Sequence, residues 1–537
     1  MLGVILLGWP MLDRDHPANK APRLKDMLML MNAAEYRESL RSLSPRLFVD
    51  GQRITSVADA PSLAPGIAAV GTSYDFAHDP ALATLMTARQ SEGGPLVNRM
   101  LHVNATNQDL LWKLEAVRVL CRESGCAQRY LAHDALNGIF QATARIDADR
   151  GTDYHQRFRA YLADVQERDL AIGIAMTDAK GDRSLRPSAQ ANPDTYVHVV
   201  GRRPGGIVIS GTKAIVTGAP YMHQFLVMPC RAMQADDAAF AVCCAVPADA
   251  PGVTIVARPA GRPGEADAIF SARYGQSTGV VLFDNVFVPD DQVFLNGEWM
   301  HSGFLTSTYA THHRHSCIGA RAGFGDLLIG AGALMIEANG LDPSRHGHIR
   351  DAMVELISIV EGFFACGVAA STYGIADPAG SAQPEPIYAN VGKLMLATKI
   401  YDMQRLAHHV SGGLVVSLPG PDEDHNPETR ADLQAVLGGR ADVPASHRLA
   451  VGRLMEDLTA SYQAGWYSII SLHGGGSPEA MKREIWRNYP VAEKRDFVRQ
   501  LVDRGLAGPA AVAVAEGDQP GKCCDTGCEA PPAKVAE

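Results

Sequence analysis

The sequence predicts an α+β fold in which a helical region is followed by a β region and then by a second helical region. The hydrophobic pattern is mostly helical over residues 32–166 and again over 297–506. Between them, over 194–295, it changes to short β-branched runs bounded by Gly, Pro and Asp. Because no strong helical pattern separates these runs, an antiparallel barrel or sandwich is favoured over a doubly wound sheet. We therefore predict an N-terminal helical domain, a middle antiparallel β domain and a C-terminal helical bundle, at 31–170, 171–296 and 297–507.

The N-terminal region opens with helical periodicity and carries one short hairpin. A hairpin is predicted where the apolar run 47–49 and the pair Arg53 and Ile54 flank Asp50 and Gly51. Asp-Gly is typical of a tight turn. Thr106 and Asp109 then form a predicted capping box in front of a hydrophobic run. A second amphipathic stretch covers 132–146 and completes the predicted helical domain.

The middle and C-terminal regions differ in the period of their hydrophobic pattern. Four β-branched runs mark strands, at 196–200, 206–210, 280–283 and 286–288. Beyond Gly297, long apolar-periodic stretches such as 351–373 and 448–472 predict bundle helices.

Composition and charge exclude several classes of protein. Lys plus Arg number 49 against 59 Asp plus Glu, a net charge of −10 with no basic block, so nucleic acid is not an expected partner. The ten cysteines include adjacent pairs such as Cys243 and Cys244, and their irregular spacing does not fit a secreted disulfide framework. We expect reduced thiols in a cytoplasmic enzyme with no membrane partner.

Both chain ends are set aside from the predicted fold. Residues 1–30 begin with an apolar run too short to span a bilayer and without the basic start of a signal peptide. Residues 508–537 are rich in Ala, Gly and Pro. We predict an unpacked extension and a flexible tail. Two interpretations stay open for the tail thiols Cys523, Cys524 and Cys528: they bind a soft metal or act in redox chemistry, or they are simply exposed and oxidisable.

Two common nucleotide-binding motifs are missing. No G-x-G-x-x-G follows a predicted strand, so an NAD-binding unit lacks its fingerprint. The segment 517–522 ends in Gly-Lys but has the wrong glycine spacing, and Cys523 replaces the Ser or Thr of a P-loop.

The densest polar segment lies between the first helical region and the β region. Its chemistry-bearing residues are Met176, Thr177, Lys180, Asp182, Arg183 and Ser184. Such a loop can form the polar rim of a cofactor site. A solvated interdomain loop is the alternative, and composition alone favours it.

Five segments in the same order resemble the 4-hydroxyphenylacetate 3-hydroxylase family, and within it the 4-hydroxybutyryl-CoA dehydratase branch. The segments are 36–40, 175–190, 283–289, 407–414 and 473–478. The resemblance covers about 31–506 and implies an acyl-CoA-dehydrogenase-like fold, FAD between domains and subunits, and a homotetramer.

The resemblance also implies FAD contacts from four parts of the chain. They are the polar loop from Met176 to Ser184, the residues Lys213 and Thr217, and two glycine-rich turns that contain Gly412, Gly413, His473, Gly474, Gly475 and Gly476. For the two turns, an ordinary helix C-cap or tight bend is an equal alternative.

The dehydratase branch further implies a [4Fe-4S] cluster on three Cys and one His, and here the match fails. Cys126 and His313 stand at two of the four positions, but Tyr130 and Ala320 replace two thiolates. A phenol or a methyl group does not replace a soft thiolate on iron. Cys317 stays open as a substitute ligand, and we predict no metal.

Two acid–base positions of that branch are changed as well. Cys317 stands where the resemblance places a Tyr, and Ile470 where it places a Glu. An isoleucine cannot move a proton, so these changes argue against dehydration of an unactivated substrate.

A metal site at the histidine cluster is also not expected. His312 and His313 are adjacent and therefore do not share a helix face, and no carboxylate follows His315 at helical spacing.

The remaining polar residues suit a flavin monooxygenase. Arg129, Tyr130, His133 and His313 are the predicted catalytic residues, acting on O2 and on an aromatic or related small substrate. Each residue also has a structural alternative: an ion pair for Arg129, a surface position for His133, and ordinary packing for Tyr130 and His313.

Without a dinucleotide fingerprint, a separate reductase is expected to supply FADH2. A redox-neutral acyl-CoA dehydratase or isomerase with a rebuilt site, and a flavin-binding protein without catalysis, stay open.

Overall fold

The computed structural model describes residues 30–506 except Glu92, Ala127 and Ala266. The predicted extension lies outside these residues apart from Leu30, and the Cys-containing tail lies outside them entirely. Leu30 is buried, and its carbonyl oxygen lies 3.1 Å from Nε2 of His78. The packed chain therefore begins at least one residue earlier than predicted.

The N-terminal part is helical with two short antiparallel strand pairs. Its elements are α1 Ala33–Ser39, β1 Arg46–Val49, β2 Gln52–Ile54, α2 Ala64–His78, α3 Ala83–Met86, β3 Thr87–Arg89, β4 Leu96–Asn98, α4 Asn107–Ser124, α5 Tyr130–Arg150 and α6 Tyr154–Glu167. The predicted capping box is confirmed, since Thr106 accepts from the Asp109 amide and the Asp109 carboxylate accepts from that of Thr106. The predicted hairpin is confirmed by antiparallel pairing of β1 with β2, and β3 pairs with β4 in the same way.

Two sheets form the middle part. Their strands are β5 Ile172–Ala175, β6 His198–Arg203, β7 Gly206–Thr217, β8 Gln224–Val227, β9 Val242–Pro247, β10 Val253–Ala257, β11 Thr278–Pro289 and β12 Val293–Asn296. The strand order is β2-β1-β10-β11-β7-β6 in one sheet and β12-β9-β8-β5 in the other. Pairing is antiparallel as predicted, except that β1 pairs in parallel with β10 and β5 with β8. The N-terminal hairpin therefore extends the middle sheet.

The C-terminal part is a bundle with one small hairpin. Its elements are α7 Trp299–Ala338, α8 Gly347–Thr372, β13 Ile375–Ala376, β14 Ala382–Gln383, α9 Pro386–Ser411, α10 Arg430–Val436, α11 Ala445–Thr459, α12 Tyr462–His473 and α13 Pro478–Asn488. The stretch predicted at 448–472 is two helices, because the Ser461 side chain accepts from the Ala464 amide and starts a new helix. A second compact unit begins at Tyr489 and contains α14, Val491–Leu506.

The buried apolar residues fall into two clusters. One joins the sheets to α1, α5 and α6, and the other joins α4 to the bundle helices. By length and composition α7 and α8 also pass as membrane spans, but 67% of the apolar window of α7 is buried inside the protein. The middle of α7 is buried over 311–325, and its polar side chains therefore need partners from neighbouring helices.

Candidate functional site

A chain of polar groups runs through the interior where α7 crosses α4 and α5. Nδ1 of His313 lies 3.0 Å from Oδ2 of Asp134, and Nε2 lies 3.7 Å from Sγ of Cys317. His313 and Cys317 are one helical turn apart on α7, which places both on one face. We call Asp134, His313 and Cys317 the relay.

The carboxylate of Asp134 is held in place by several donors. Ser316 donates to Oδ1 at 2.5 Å, and Nζ of Lys113 lies 3.6 Å from the same oxygen. Burial alone would raise the pKa of Asp134, but the Lys113 ammonium and the hydrogen bonds from His133 and His313 hold it below its usual range. A fixed carboxylate on Nδ1 orients the His313 ring and favours its charged form.

The electrostatics of the relay favour an imidazolium beside a thiolate. Burial disfavours charge on His313, but the Cys317 sulfur and the Asp134 carboxylate together raise its pKa to about 9. Burial likewise opposes ionisation of Cys317, but His313, followed by Lys393 and Arg321, lowers its pKa to about 7. The attraction between His313 and Cys317 contributes to both shifts.

Two further cations line this part of the bundle. Nζ of Lys393 on α9 donates to the Ser471 carbonyl at 2.6 Å, and burial lowers its pKa to about 8. Nε of Arg321 donates to the Ser471 hydroxyl, while its buried Nη1 has no hydrogen-bond partner in the described part of the chain. An unpaired buried donor of this kind fits an anionic or carbonyl oxygen of a bound molecule.

Tyr130 and Cys126 complete the site on the side of α5. The Tyr130 hydroxyl lies 3.4 Å from Sγ of Cys126, and its ring stacks on that of His313 with centroids 6.2 Å apart. Burial raises the pKa of Cys126, unlike that of Cys317. Across the described residues, no group of three or more His, Cys, Asp or Glu is placed to hold a metal ion. Ala320 is fully buried, and its methyl side chain has no atom that could bind a metal.

The glycine-rich turn at 474–476 covers the relay. A Cβ added to Gly475 would lie 3.3 Å from Cδ2 of His313 and 3.9 Å from Cε of Lys393, and its φ is +75°. The Gly475 carbonyl accepts from Nε of Arg314 at 2.9 Å. The structure thus brings together His313 and this predicted turn, whereas His473 itself is exposed.

Gly412 and Gly413 form the end of α9, and both are exposed. Gly412 has φ of +78°, and nothing lies within 4 Å of an added Cβ at either residue. Their helix-ending role, the alternative weighed above, accounts for this geometry.

Arg129 lies in a different cluster from the relay. Its Nη2 is 2.5 Å from Oδ1 of Asp169, and its guanidinium carbon is 3.9 Å from the centre of the Tyr74 ring. Both charged side chains are almost fully buried. Arg129 therefore forms the ion pair that was the alternative for it, in a cluster separate from the relay, and its catalytic role stays a prediction.

His133 is fully buried, so a surface position for it is wrong. Its Nε2 lies 3.2 Å from Oδ1 of Asn104, and Nδ1 lies 3.8 Å from Oδ1 of Asp134. Burial lowers its pKa to about 4 and keeps the ring neutral near pH 7. His133 is adjacent to the relay through Asp134. His312 and His315 contact other helices, through Gln141 and Ser371.

The polar loop after β5 is fixed to the middle sheet by Lys213 on β7. Nζ of Lys213 lies 2.6 Å from Asp178 and donates to the carbonyls of Met176 and Met228 at 2.9 and 2.7 Å. The Thr177 carbonyl accepts from the Ala214 amide. Lys213 therefore holds the backbone of the loop, and its ammonium is occupied within the chain.

The outer part of that loop presents polar groups to solvent. Asp182, Arg183 and Ser184 are exposed, and Ser184 donates to Asp182 through both its amide and its hydroxyl. Met176, Thr177 and Lys180 are half-buried. The outer part of the loop thus exposes polar side chains, as a cofactor rim requires.

A buried amide with poor hydrogen-bond geometry, beside the Tyr221 hydroxyl, lies next to the predicted contact Thr217. Neither polar atom of the Gln128 side chain has a hydrogen bond of good geometry, and Oε1 lies 2.7 Å from where Gly218 would carry a Cβ. Oε1 of Gln276 is also buried without a partner, while its Nε2 bonds the Cys126 carbonyl. Such atoms cost free energy unless a ligand pairs them, and the edge of a flavin ring offers the complementary donors and acceptors. The residues present thus fit a flavin.

Sequence reasoning missed four members of the site: Asp134, Lys393, Arg321 and, as an acid–base group, Cys317. The four-residue spacing of His313 and Cys317 was the available signal. Lys393 and Arg321 lie at helix positions where no local sequence pattern indicates a functional site.

Comparisons with known sequences cover almost the whole described chain. The profiles of the N-terminal and C-terminal regions of 4-hydroxyphenylacetate 3-hydroxylase match residues 32–295 and 302–503. The 4-hydroxybutyryl-CoA dehydratase/vinylacetyl-CoA-Δ-isomerase of Clostridium aminobutyricum is 34% identical, over 88% of this chain and 99% of the relative. The 4-hydroxyphenylacetate 3-monooxygenase oxygenase component of Thermus thermophilus is 25% identical, over 89% and 98%.

Solved structures agree on the fold. An oxygen-tolerant archaeal 4-hydroxybutyryl-CoA dehydratase from N. maritimus superposes with a TM-score of 0.84 at 33% identity, covering 92% of this chain and 97% of the other. The oxygenase component of 4-hydroxyphenylacetate 3-monooxygenase complexed with FAD gives 0.79 at 22% identity, covering 89% and 99%. The predicted acyl-CoA-dehydrogenase-like α+β fold is confirmed.

Proposed function

Because the chain belongs to the 4-hydroxyphenylacetate 3-hydroxylase family, we propose that it is an FAD-dependent monooxygenase that hydroxylates an aromatic or related small organic substrate. A separate reductase supplies the reduced flavin, since the chain has no dinucleotide fingerprint. The relative from Thermus thermophilus is itself named as an oxygenase component.

The observation that carries the proposal is Tyr130. It lies against Cys126 and His313, at a position where the dehydratase resemblance requires a cluster thiolate. A neutral phenol, with its pKa raised well above the usual value chiefly by burial, is not a ligand for a soft iron cluster. The same phenol is a hydrogen-bond donor suited to an oxygen atom of a substrate.

FAD would be held by the loop from Met176 to Ser184 and by the segment at Thr217, where the buried Gln128 amide has no hydrogen bond of good geometry. When bound and reduced, FAD supplies the electrons with which O2 is activated. The chain's own residues bind and orient the substrate, exclude water through the near-complete burial of the relay, and hold protons at Tyr130 and His313.

Iron and sulfide analysis together with a product assay tests this proposal. The purified protein should bind FAD and contain neither iron nor acid-labile sulfide near cluster stoichiometry. With chemically reduced FAD under air, it should convert a phenol such as 4-hydroxyphenylacetate into a hydroxylated product. Tyr130→Phe should bind FAD normally but lose most of the product, while Tyr373→Phe, an exposed tyrosine, serves as the matched control. A cluster at full stoichiometry would refute the proposal.

A second candidate is a redox-neutral acyl-CoA dehydratase or isomerase with a cluster-free site. It is favoured by the 34% identity to the Clostridium aminobutyricum enzyme and by the relay, which is suited to moving a proton without any redox step. Anaerobic interconversion of vinylacetyl-CoA and crotonyl-CoA by the FAD-loaded protein would establish it in place of the monooxygenase.

We also propose a homotetramer. Large apolar side chains on α8 and α9 are exposed in the single chain, including Val354, Ile357, Met395 and Tyr401. An exposed apolar surface of this kind is typical of a subunit interface. Light scattering coupled to size-exclusion chromatography measures the mass directly, and a monomer at micromolar concentration would contradict the proposal.

A further inference from the structure

The relay ends in a sulfur atom that the proposed chemistry has not yet used. Asp134 occupies Nδ1 of His313, and Cys317 faces Nε2, so both ring nitrogens are engaged within the chain. Sγ of Cys317 is therefore one end of the relay, and the Asp134 carboxylate at the other end is fully buried. Cys317 and His313 are also 8% and 7% exposed, whereas Asp134, Ser316 and Lys113 are at 0%. Contact with a bound molecule is thus available at the Cys317 end.

The charged and titratable groups around Cys317 come from several helices. They are His313, Arg314, Arg321 and Tyr309 on α7, Lys113 on α4, Tyr130 and Asp134 on α5, Lys393 on α9, and Cys126 in the turn before α5. Cations outnumber anions in this set even when Cys317 is ionised. Protonation of the thiolate would increase the imbalance, and a negative charge on a bound molecule would relieve it.

We propose that Cys317 is the base of this site, and that its thiolate takes a proton from a weak organic acid whose conjugate base is a delocalised oxyanion, a phenolate or a thioester enolate. This inference rests on the proposed function for the place where substrate binds. His313 and Asp134 are positioning residues, since they act through the sulfur.

The step is a proton transfer with no change of oxidation state. The O–H or C–H bond of the substrate breaks, its electron pair stays on the substrate, and an S–H bond forms at Cys317. The unpaired Nη1 of Arg321 and the ammonium of Lys393 then stabilise the oxyanion, with the His313 imidazolium one turn away. For a phenol, this produces the electron-rich phenolate that a hydroxylation requires.

A pair of cysteines in the same chain provides a test that needs no substrate. Cys366 on α8 is half-buried, more exposed than Cys317, and its pKa is raised by burial. Access of iodoacetamide to the two thiols differs, because Cys366 lies against Met395 on the surface proposed as a subunit interface. The test is therefore the pH dependence of each alkylation rate: the rate at Cys317 should level off at least one pH unit below that at Cys366, since its pKa is lowered and that of Cys366 is raised. Peptide mass spectrometry of the full-length FAD-loaded protein gives both rates.

A second measurement does not depend on access of the reagent. The ultraviolet absorbance of a thiolate is compared in wild type, Cys317→Ser and Cys366→Ser over the neutral pH range. Wild type and Cys366→Ser should show one thiolate that Cys317→Ser lacks. If the three spectra coincide, or if the alkylation rate of Cys317 rises with pH over the same range as that of Cys366, the thiolate does not exist and the proposal is overturned.

The proton transfer itself is tested with 4-nitrophenol, whose phenolate is coloured. On binding to the wild-type protein below the probe's own pKa, the phenolate colour should appear, the Cys317 thiolate signal should fall by an equal amount, and no proton should enter a weakly buffered solution. Cys317→Ser should instead release a proton, because the cations still hold the phenolate but no base retains its proton. Phenolate formation without loss of the thiolate signal would contradict the proposal.

A thioester arm distinguishes the two oxyanions. Butyryl-CoA incubated with the FAD-loaded protein in deuterated water should exchange its α-hydrogens if enolates are the natural class, and Cys317→Ser should abolish that exchange. If both probes fail while the thiolate is present, the base proposal is wrong. Phenol hydroxylation under air, measured separately, then still decides the proposed function.

Discussion

Arg129 and Tyr130 are neighbours in the chain, yet their side chains enter two different buried clusters. The Arg129 guanidinium pairs with Asp169 and lies on the Tyr74 ring, where the first helical part meets the start of β5. Tyr130 turns to Cys126 and His313 in the bundle. Both clusters are buried, and both contain a cation and a carboxylate.

The clusters differ in how their charges are balanced. Around Arg129, one carboxylate faces one guanidinium, and the Leu170 carbonyl adds a further acceptor at 3.3 Å. Around the relay, Lys113, His313, Arg321 and Lys393 face two anionic groups. Buried guanidinium nitrogens without a partner among the described residues occur in both clusters, at Nε and Nη1 of Arg129 and at Nη1 of Arg321, so the clusters differ in net charge. A balanced buried pair serves folding, whereas an excess of one sign costs stability and is typical of a site that binds the opposite sign.

The largest expected effect is on the balanced cluster. Arg129→Ala leaves the Asp169 carboxylate buried without its cation, and we expect a loss of about 3–5 kcal/mol in the free energy of unfolding. Arg405→Ala, which breaks an exposed pair with Glu355, should cost at most about 1 kcal/mol. Denaturant titration measures both.

A double substitution sharpens the same prediction. Arg129→Met with Asp169→Leu removes both charges and should recover much of the lost stability. Equal losses in Arg129→Ala and Arg405→Ala would show that the pair is not structural.

Acid should weaken the protein through its neutral buried histidines, one next to each cluster. His133 beside the relay and His223 beside Tyr36 both have a pKa lowered to about 4, chiefly by burial. A folded-state pKa below the unfolded value of 6.5 means that the unfolded chain binds the proton first. Stability is therefore lost as pH falls from about 6.5 towards 4, by about 1.4 kcal/mol per pH unit for each histidine.

Replacement of one histidine isolates its contribution. His133→Gln should flatten the dependence of unfolding free energy on pH by the share of one proton, while His473→Gln, at an exposed position, should leave the slope unchanged. An unaltered slope in His133→Gln would mean that this ring is charged in the folded state.

A smaller effect tests the turn that covers the relay. Gly475→Ala and Gly412→Ala carry similar backbone cost, since φ is +75° and +78°, but only the first places a methyl 3.3 Å from His313. Each should lose about 1 kcal/mol from strain. Only Gly475→Ala should also slow alkylation of Cys317. Equal alkylation rates in the two variants would place the turn away from the relay.

The fold was largely predictable because its signals are local. The β1–β2 hairpin and the Thr106 capping box depend on residues a few positions apart, and both were confirmed. The parallel pairing of β1 with β10 was not predicted, since it joins segments about two hundred residues apart and no local pattern specifies such a register.

The candidate site was predictable only in part, for the same reason. Tyr130 and His313 were expected together and do meet. Arg129 was assigned to them by its sequence position, but its partner Asp169 is forty residues away and carries no motif. Asp134 follows a predicted residue directly, and its importance emerges only when α7 packs on α5 and brings His313 to its carboxylate.

The fate of dioxygen tests the proposed monooxygenase reaction most directly. With chemically reduced FAD, a phenol and isotopically labelled dioxygen, we expect one labelled oxygen atom in the hydroxylated product, from a protein without iron or sulfide. An unlabelled or absent product, together with anaerobic conversion of vinylacetyl-CoA to crotonyl-CoA by the same preparation, would contradict it.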